Sequence, residues 1–235
     1  MKIPTTTALF LISASLLAAR PADCGQGRGN GRGCGNGPAN DCPGVCAVRT
    51  ESTVPLTLSA SAQEALRFQI DEERMAGELY RAFGEKHDIL PFKNIPRAEA
   101  RHRELLENLA IRAGLTPARP TTAGRYETPA IQARHDALLA RGQVSLIEAL
   151  KAGALVEEQD IADLRALATT TDSPELKSVV TALERGSRHH LNAFVRNLRS
   201  RGVEYVAQVL TPAEVAELTA AVTGRPERRR ANRAG

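Results

Sequence analysis

Between Leu58 and about residue 223, apolar residues return every three or four positions, which predicts helices; no strand of any length is visible. What most constrains the fold is where the apolar stripes break. Across NIPRAEARHRELLENLA, residues 94–110, the stripe that begins at Phe92 runs through Ile95, Leu106 and Leu109. The two positions filling its gap are Glu99 and His102. Three residues turn a helix by about 300°, so this carboxylate and imidazole share the face that should meet the core.

Three other long segments break in the same way. A first helix, expected over 60–86, carries Leu66, Ile70, Glu73, Gly77, Tyr80 and Gly84 on one face. A neighbouring stripe of Gln69, Ala76, Leu79 and Phe83 would instead turn Glu72 inward. The second helix is expected over 91–113, opened by Pro91 and closed by Gly114. The third begins at Ser145 with Glu148 as a capping box and runs to about 169. Two seams fit it; both include Glu157, one adds Asp160, and Glu158 competes for the inward position. The fourth begins at Ser173-Pro174, ends before Gly202, and carries Leu183, Ser187, His190 and Phe194. His189 falls in line with Arg185 and Arg196, a polar face. A short helix is expected from Thr128-Pro129 within the 114–144 connection, and a last one at TPAE, residues 211–214. The expected architecture is all-α: an antiparallel four-helix bundle with a short extra C-terminal helix.

An unpaired buried carboxylate costs several kcal/mol or is neutralised. Four helices with this problem need one solution, and a pair of metal ions supplies it. Carboxylate-bridged di-metal bundles use a Glu from each of two helices and Glu-x-x-His from each of the other two. The chain offers Glu73 ahead of Glu99-x-x-His102, then Glu157 ahead of Ser187-x-x-His190. The second copy therefore departs from the pattern at Ser187. Asp160 can supply the missing carboxylate or hydrogen-bond a ligand His. The metal-ligand candidates are Glu73, Glu99, His102, Glu157, His190 and Asp160. Tyr80 shares a face with Glu73 and is either a hydrogen-bonding neighbour of the site or a core residue.

The segments EERMAGELY and FKNIPRAEARH resemble the first helical hairpin of rubrerythrin-type ferritin-like proteins. With GQVSLIEALKAGALVEEQDIADL and LERGSRHHLNAFVRNL, the chain more closely resembles a bacterial ferritin-like family labelled as a domain of unknown function, over about residues 60–210. The resemblance implies a ferritin-like fold with Glu73, Glu99, His102, Glu157 and His190 at the positions of metal ligands. Ser187 puts the symmetry of that site, and the occupancy of one metal, in question. No rubredoxin-like cysteine module accompanies it.

Carboxylates and imidazoles suit iron, or manganese, rather than a sulfur-seeking ion. Two ions about 3.5–4 Å apart can clamp an oxygen species. The expected activity is iron oxidation, or reduction of dioxygen or peroxide as the small-molecule substrate. The alternative is a metal-binding or structural bundle of the cell envelope without turnover.

Composition bounds the rest. Aromatic residues make up 3% and Trp is absent, so the core must be Ala, Leu, Ile and Val, which suits helices. The segment RPERRRANRAG holds five Arg and one Glu and accounts for the net charge of +4. It reads as a solvated basic tail at 224–235, and no nucleic acid is expected as a partner. Lys2 and the apolar run Ala8–Ala19 read as a signal peptide over 1–22, too short to span a bilayer. The chain is therefore expected to be exported: periplasmic, in the cell envelope, or secreted. Membrane attachment is expected only if that segment is retained or Cys24 is lipidated. Residues 23–56 are rich in Gly and hold Cys24, Cys34, Cys42 and Cys46; they read as a disordered linker that can carry disulfides. The helical domain is expected over 57–223, with a homodimer possible.

Overall fold

The computed structural model describes residues 53–118 and 120–220. Among them are six helices and no strand: α1 (Ala60–Lys86), α2 (Leu90–Arg112), α3 (Pro129–Gly142), α4 (Leu146–Thr170), α5 (Pro174–Arg199) and α6 (Pro212–Leu218). The limits expected for the four long helices agree to within one residue. The expected leader, most of the linker and the basic tail lie outside the described residues. The linker's last residues lie against α2: the Leu56 amide donates to Arg112 O at 2.9 Å, and Arg112 Nε donates to Val54 O at 2.8 Å.

Local chemistry sets the helix ends. Ser59, Ser145, Ser173 and Thr211 each accept from a backbone amide three residues on, at 3.2 Å. Such caps are worth about 1 kcal/mol each. At Thr211 the capping box closes in both directions. At Ser145 only half of the expected box forms, because Glu148 turns to Arg141 and Lys151, each at 2.8 Å. Gly114 and Gly202 stop α2 and α5 with φ of 76° and 73°, the left-handed conformation that a residue without Cβ adopts freely.

The long helices pack in a cycle: α1 on α2, α2 on α5, α5 on α4, and α4 on α1. Helix α3 lies across α1 and α4, and α6 rests on α5. The extra cover explains why α1 is buried without interruption from Gln69 to Gly77. Where α4 and α5 meet, Gly153 sits against the Phe194 ring; a Cβ there would lie 2.8 Å from it.

The core is not continuous. One apolar cluster gathers Leu66, Ile70, Leu106, Leu109, Leu164, Val180 and Leu183. The other gathers Met75, Tyr80, Phe83, Phe92, Leu150, Ile161 and Phe194. In α1, α2 and α5 the sequence between the two carries the buried polar residues Glu73, Glu99, His102, Ser187 and His190, with Glu157 and Asp160 beside them on α4.

Candidate metal centre

Five of these side chains converge, one or two from each long helix. Glu73 comes from α1, Glu99 and His102 from α2, Glu157 from α4, and His190 from α5. The Glu-x-x-His spacing on α2 puts its two donors on one face. Two groups form, Glu73–Glu99–His102 and Glu99–Glu157–His190, with donor atoms inside each lying within 4.8 Å of one another. Glu99 belongs to both. Its Oε2 lies 2.9 Å from His102 Nδ1, and its Oε1 lies 2.9 Å from His190 Nδ1. Each imidazole also faces a second carboxylate: Glu73 Oε2 is 3.3 Å from His102 Nδ1, and Glu157 Oε2 is 3.5 Å from His190 Nδ1. The two rings stack with centroids 5.6 Å apart. Helices α1, α2 and helices α4, α5 thus present matching halves about one shared carboxylate.

The electrostatics are those of a site that needs compensation. Burial pushes the Glu73 carboxyl up to about 8, although His102 opposes the rise. Burial, then the charge of Glu99, pushes Glu157 up to about 7. Burial also acts to raise Glu99, but the two imidazoles outweigh it and hold Glu99 below its ordinary range. Burial acts to lower His102, yet Glu73 and Glu99 carry it well above its usual value.

The donor set fits a cation. Among the described residues, His102 Nδ1 and Nε2, Glu73 Oε1 and Glu99 Oε1 are buried without a hydrogen-bond partner. His102 Nδ1 sits at ion-pair distance from two carboxylates but makes a well-directed hydrogen bond to neither. Donor atoms that converge in this way could hold an ion between them. Tyr80 holds one ligand candidate in place: its hydroxyl donates to Glu157 Oε1 at 2.6 Å, leaving Oε2 toward His190.

Asp160, the sixth candidate, is not in either group. Its Oδ1 accepts from Gln69 and its Oδ2 from the Ser187 hydroxyl. Burial, then Glu73 and Glu157, raises its carboxyl. The residue that breaks the repeat is therefore a hydrogen-bond partner of the carboxylate considered as its substitute. Both competing neighbours, Glu72 and Glu158, are buried too, for different reasons. Glu72 pairs with Arg134 of α3. Glu158 accepts from the Tyr205 hydroxyl and from the amides of Gln208, Val209 and Leu210 at 3.0–3.1 Å. The partners of Gln69, Glu72 and Glu158 were not legible in the sequence. The acid doublets at 72–73 and 157–158 were the available signal, since two adjacent buried acids need two environments.

A family model described as an uncharacterized protein domain, DUF2202, matches residues 62–222. The chain is 31% identical over 169 residues to the uncharacterized protein MJ0754 of Methanocaldococcus jannaschii, covering 72% of this chain and 91% of that one. The crystal structure of that hypothetical protein aligns with a TM-score of 0.70 at 30% identity, over 74% of this chain and all of that one.

Proposed function

Since the chain belongs to the DUF2202 family, whose description names no activity, we propose its function from the site: a ferritin-like di-metal protein, with two iron ions held in an antiparallel four-helix bundle. Manganese is the other ion suited to this donor set. The observation that carries this reading is Glu99, which offers one oxygen to each of two imidazoles at 2.9 Å. Glu73 and His102 would complete one position, Glu157 and His190 the other. When bound, a pair of iron ions supplies two-electron redox chemistry for iron oxidation or for reduction of dioxygen or peroxide.

The chain's own part is to shape the place. Tyr80 fixes Glu157 through one oxygen. Glu73 Oε1, without a hydrogen-bond partner among the described residues, leaves that carboxylate able to use either oxygen. The apolar clusters on either side limit access of water. A second reading, metal binding without turnover in the cell envelope, is favoured by Ser187: its hydroxyl serves Asp160 where the repeat would place a fourth carboxylate. Export through the N-terminal segment belongs to both readings.

Metal analysis of the full chain, purified without chelators and loaded anaerobically with Fe(II), tests the proposal. We expect about two irons per chain, and less than half of that in Glu99→Ala with the helical circular dichroism intact. No bound iron in the folded wild-type chain would overturn it. Peroxide or dioxygen consumption by the loaded protein then separates turnover from storage or binding.

A further inference from the structure

Between α5 and α6, over residues 203–207, the side chains alternate. Val203 and Tyr205 pack against the apolar cluster that holds Tyr80 and Phe194, while Glu204 is exposed and Val206 is 75% exposed. Period-two alternation is the mark of a β-strand, and Val203, Tyr205 and Val206 are residues that strands favour. A strand needs a neighbour, and this segment has none. Among the described residues, the amides of Glu204, Tyr205, Val206 and Ala207 donate no hydrogen bond, and their carbonyls accept none. The residues on either side are engaged. The Val203 amide donates to Leu198 O at 3.1 Å, and those of Gln208, Val209 and Leu210 donate to Glu158. The Tyr205 hydroxyl donates to the same carboxylate. Both ends of the unpaired stretch are therefore anchored.

Unpaired backbone of this kind takes a strand from another chain. Which strand follows from which amides are free. In an antiparallel pair, opposed residues that exchange both hydrogen bonds alternate with opposed residues that exchange none. Setting Val206 opposite Val206 of a second copy, as a pair that exchanges none, leaves Tyr205 opposite Ala207 on both sides. Four hydrogen bonds then form, all from free amides to free carbonyls. The next bonded pair would be Val203 with Val209, whose amides are both engaged, so the ladder stops there. In the same register the two exposed valines meet at the closer of the two cross-strand separations, and Glu204 faces Gln208, so no like charges are opposed. A segment whose free groups match themselves about a two-fold axis is fitted to a second copy of its own chain.

We propose that residues 203–207 form the interface of a homodimer, pairing antiparallel with the same segment of a second copy about Val206. The contact is short, so the dimer is weak, with a Kd on the order of 0.1 mM. It involves none of the candidate metal ligands and does not depend on their occupancy.

Sedimentation equilibrium of the full chain, from about 10 μM to about 1 mM, tests this. Reversible dimerisation is expected. Val206→Glu and Val206→Lys should each weaken it at least about tenfold, by setting like charges opposite one another, and mixing the two variants should restore it. Val206 is exposed, so both variants are expected to keep the fold, which circular dichroism checks. Amide exchange read by NMR at high and low protein concentration reports the register: Tyr205 and Ala207 should gain protection on association, whereas Glu204 and Val206 should not. A chain that stays monomeric to about 1 mM would overturn the second copy as the occupant, in favour of a strand from a different protein. Dimerisation that is unchanged in Val206→Glu, or not restored in the mixture, would overturn the pairing about Val206. Equal protection at all four amides, or at none, would overturn it as well.

Discussion

At the scale of single residues, the site is a problem in proton and charge balance. Glu73 titrates near 8 in the fold against an ordinary 4.5, because burial disfavours its charged form. A carboxyl raised on folding binds more protons in the folded state than in the unfolded one, so stability falls as pH rises through that window. Glu157, raised to about 7, and His102, raised by its two carboxylates, act in the same direction. Glu99 acts oppositely, but only below its ordinary range. The metal-free protein should therefore lose stability between about pH 5 and 8, measurable as a falling urea midpoint. Iron affinity should rise over the same interval, since bound metal displaces those protons. Ser187→Ala asks a different question. It leaves Asp160 Oδ2 without its hydroxyl donor and should cost roughly 1–3 kcal/mol in denaturant unfolding. Iron content should not change; a halved content would make Ser187 part of the metal's surroundings.

At the scale of elements, adjacent acids are divided between neighbours. On α1, Glu73 faces α2 while Glu72 faces Arg134 on α3. On α4, Glu157 faces α5 while Glu158 gathers three consecutive amides of the segment leading to α6. Glu158 is thus a tether. Glu158→Ala should free residues 203–211, seen as lost hydrogen-exchange protection at Gln208, Val209 and Leu210. The global cost should be on the order of 3 kcal/mol, as donors are stranded together. Protection along α1 and α2 should stay unchanged, because neither contacts that segment through Glu158.

For the molecule as a whole, the polar layer lies between two apolar clusters, so a ligand there ties all four long helices together. An ion that binds the folded chain and not the unfolded one stabilises it by about 2.7 kcal/mol at a hundred times its Kd. For a domain of this size that is a rise of about 5–10 °C in Tm. Calorimetry with and without Fe(II) under anaerobic conditions measures it, and Glu99→Ala should show at most a small part of the rise.

The helices, their limits and the inward turn of Glu99, His102 and His190 were legible in the sequence, because a period of 3.6 and a cap residue act within one segment; Glu157 was left in competition with Glu158. A periodic pattern marks a face, however, and not what covers it. Whether Glu72 or Glu73 meets the centre depended on α3 lying across α1, which no stripe on α1 records. Whether Asp160 joins the donors or turns to Ser187 depended on side-chain directions across the α4–α5 contact. The shared position of Glu99 required the distance between both hairpins, set by packing of residues far apart in the chain. The sequence alone determined that charged groups must be buried at four matching places; only the tertiary structure decided which of them face one another, because that is settled by contacts between helices.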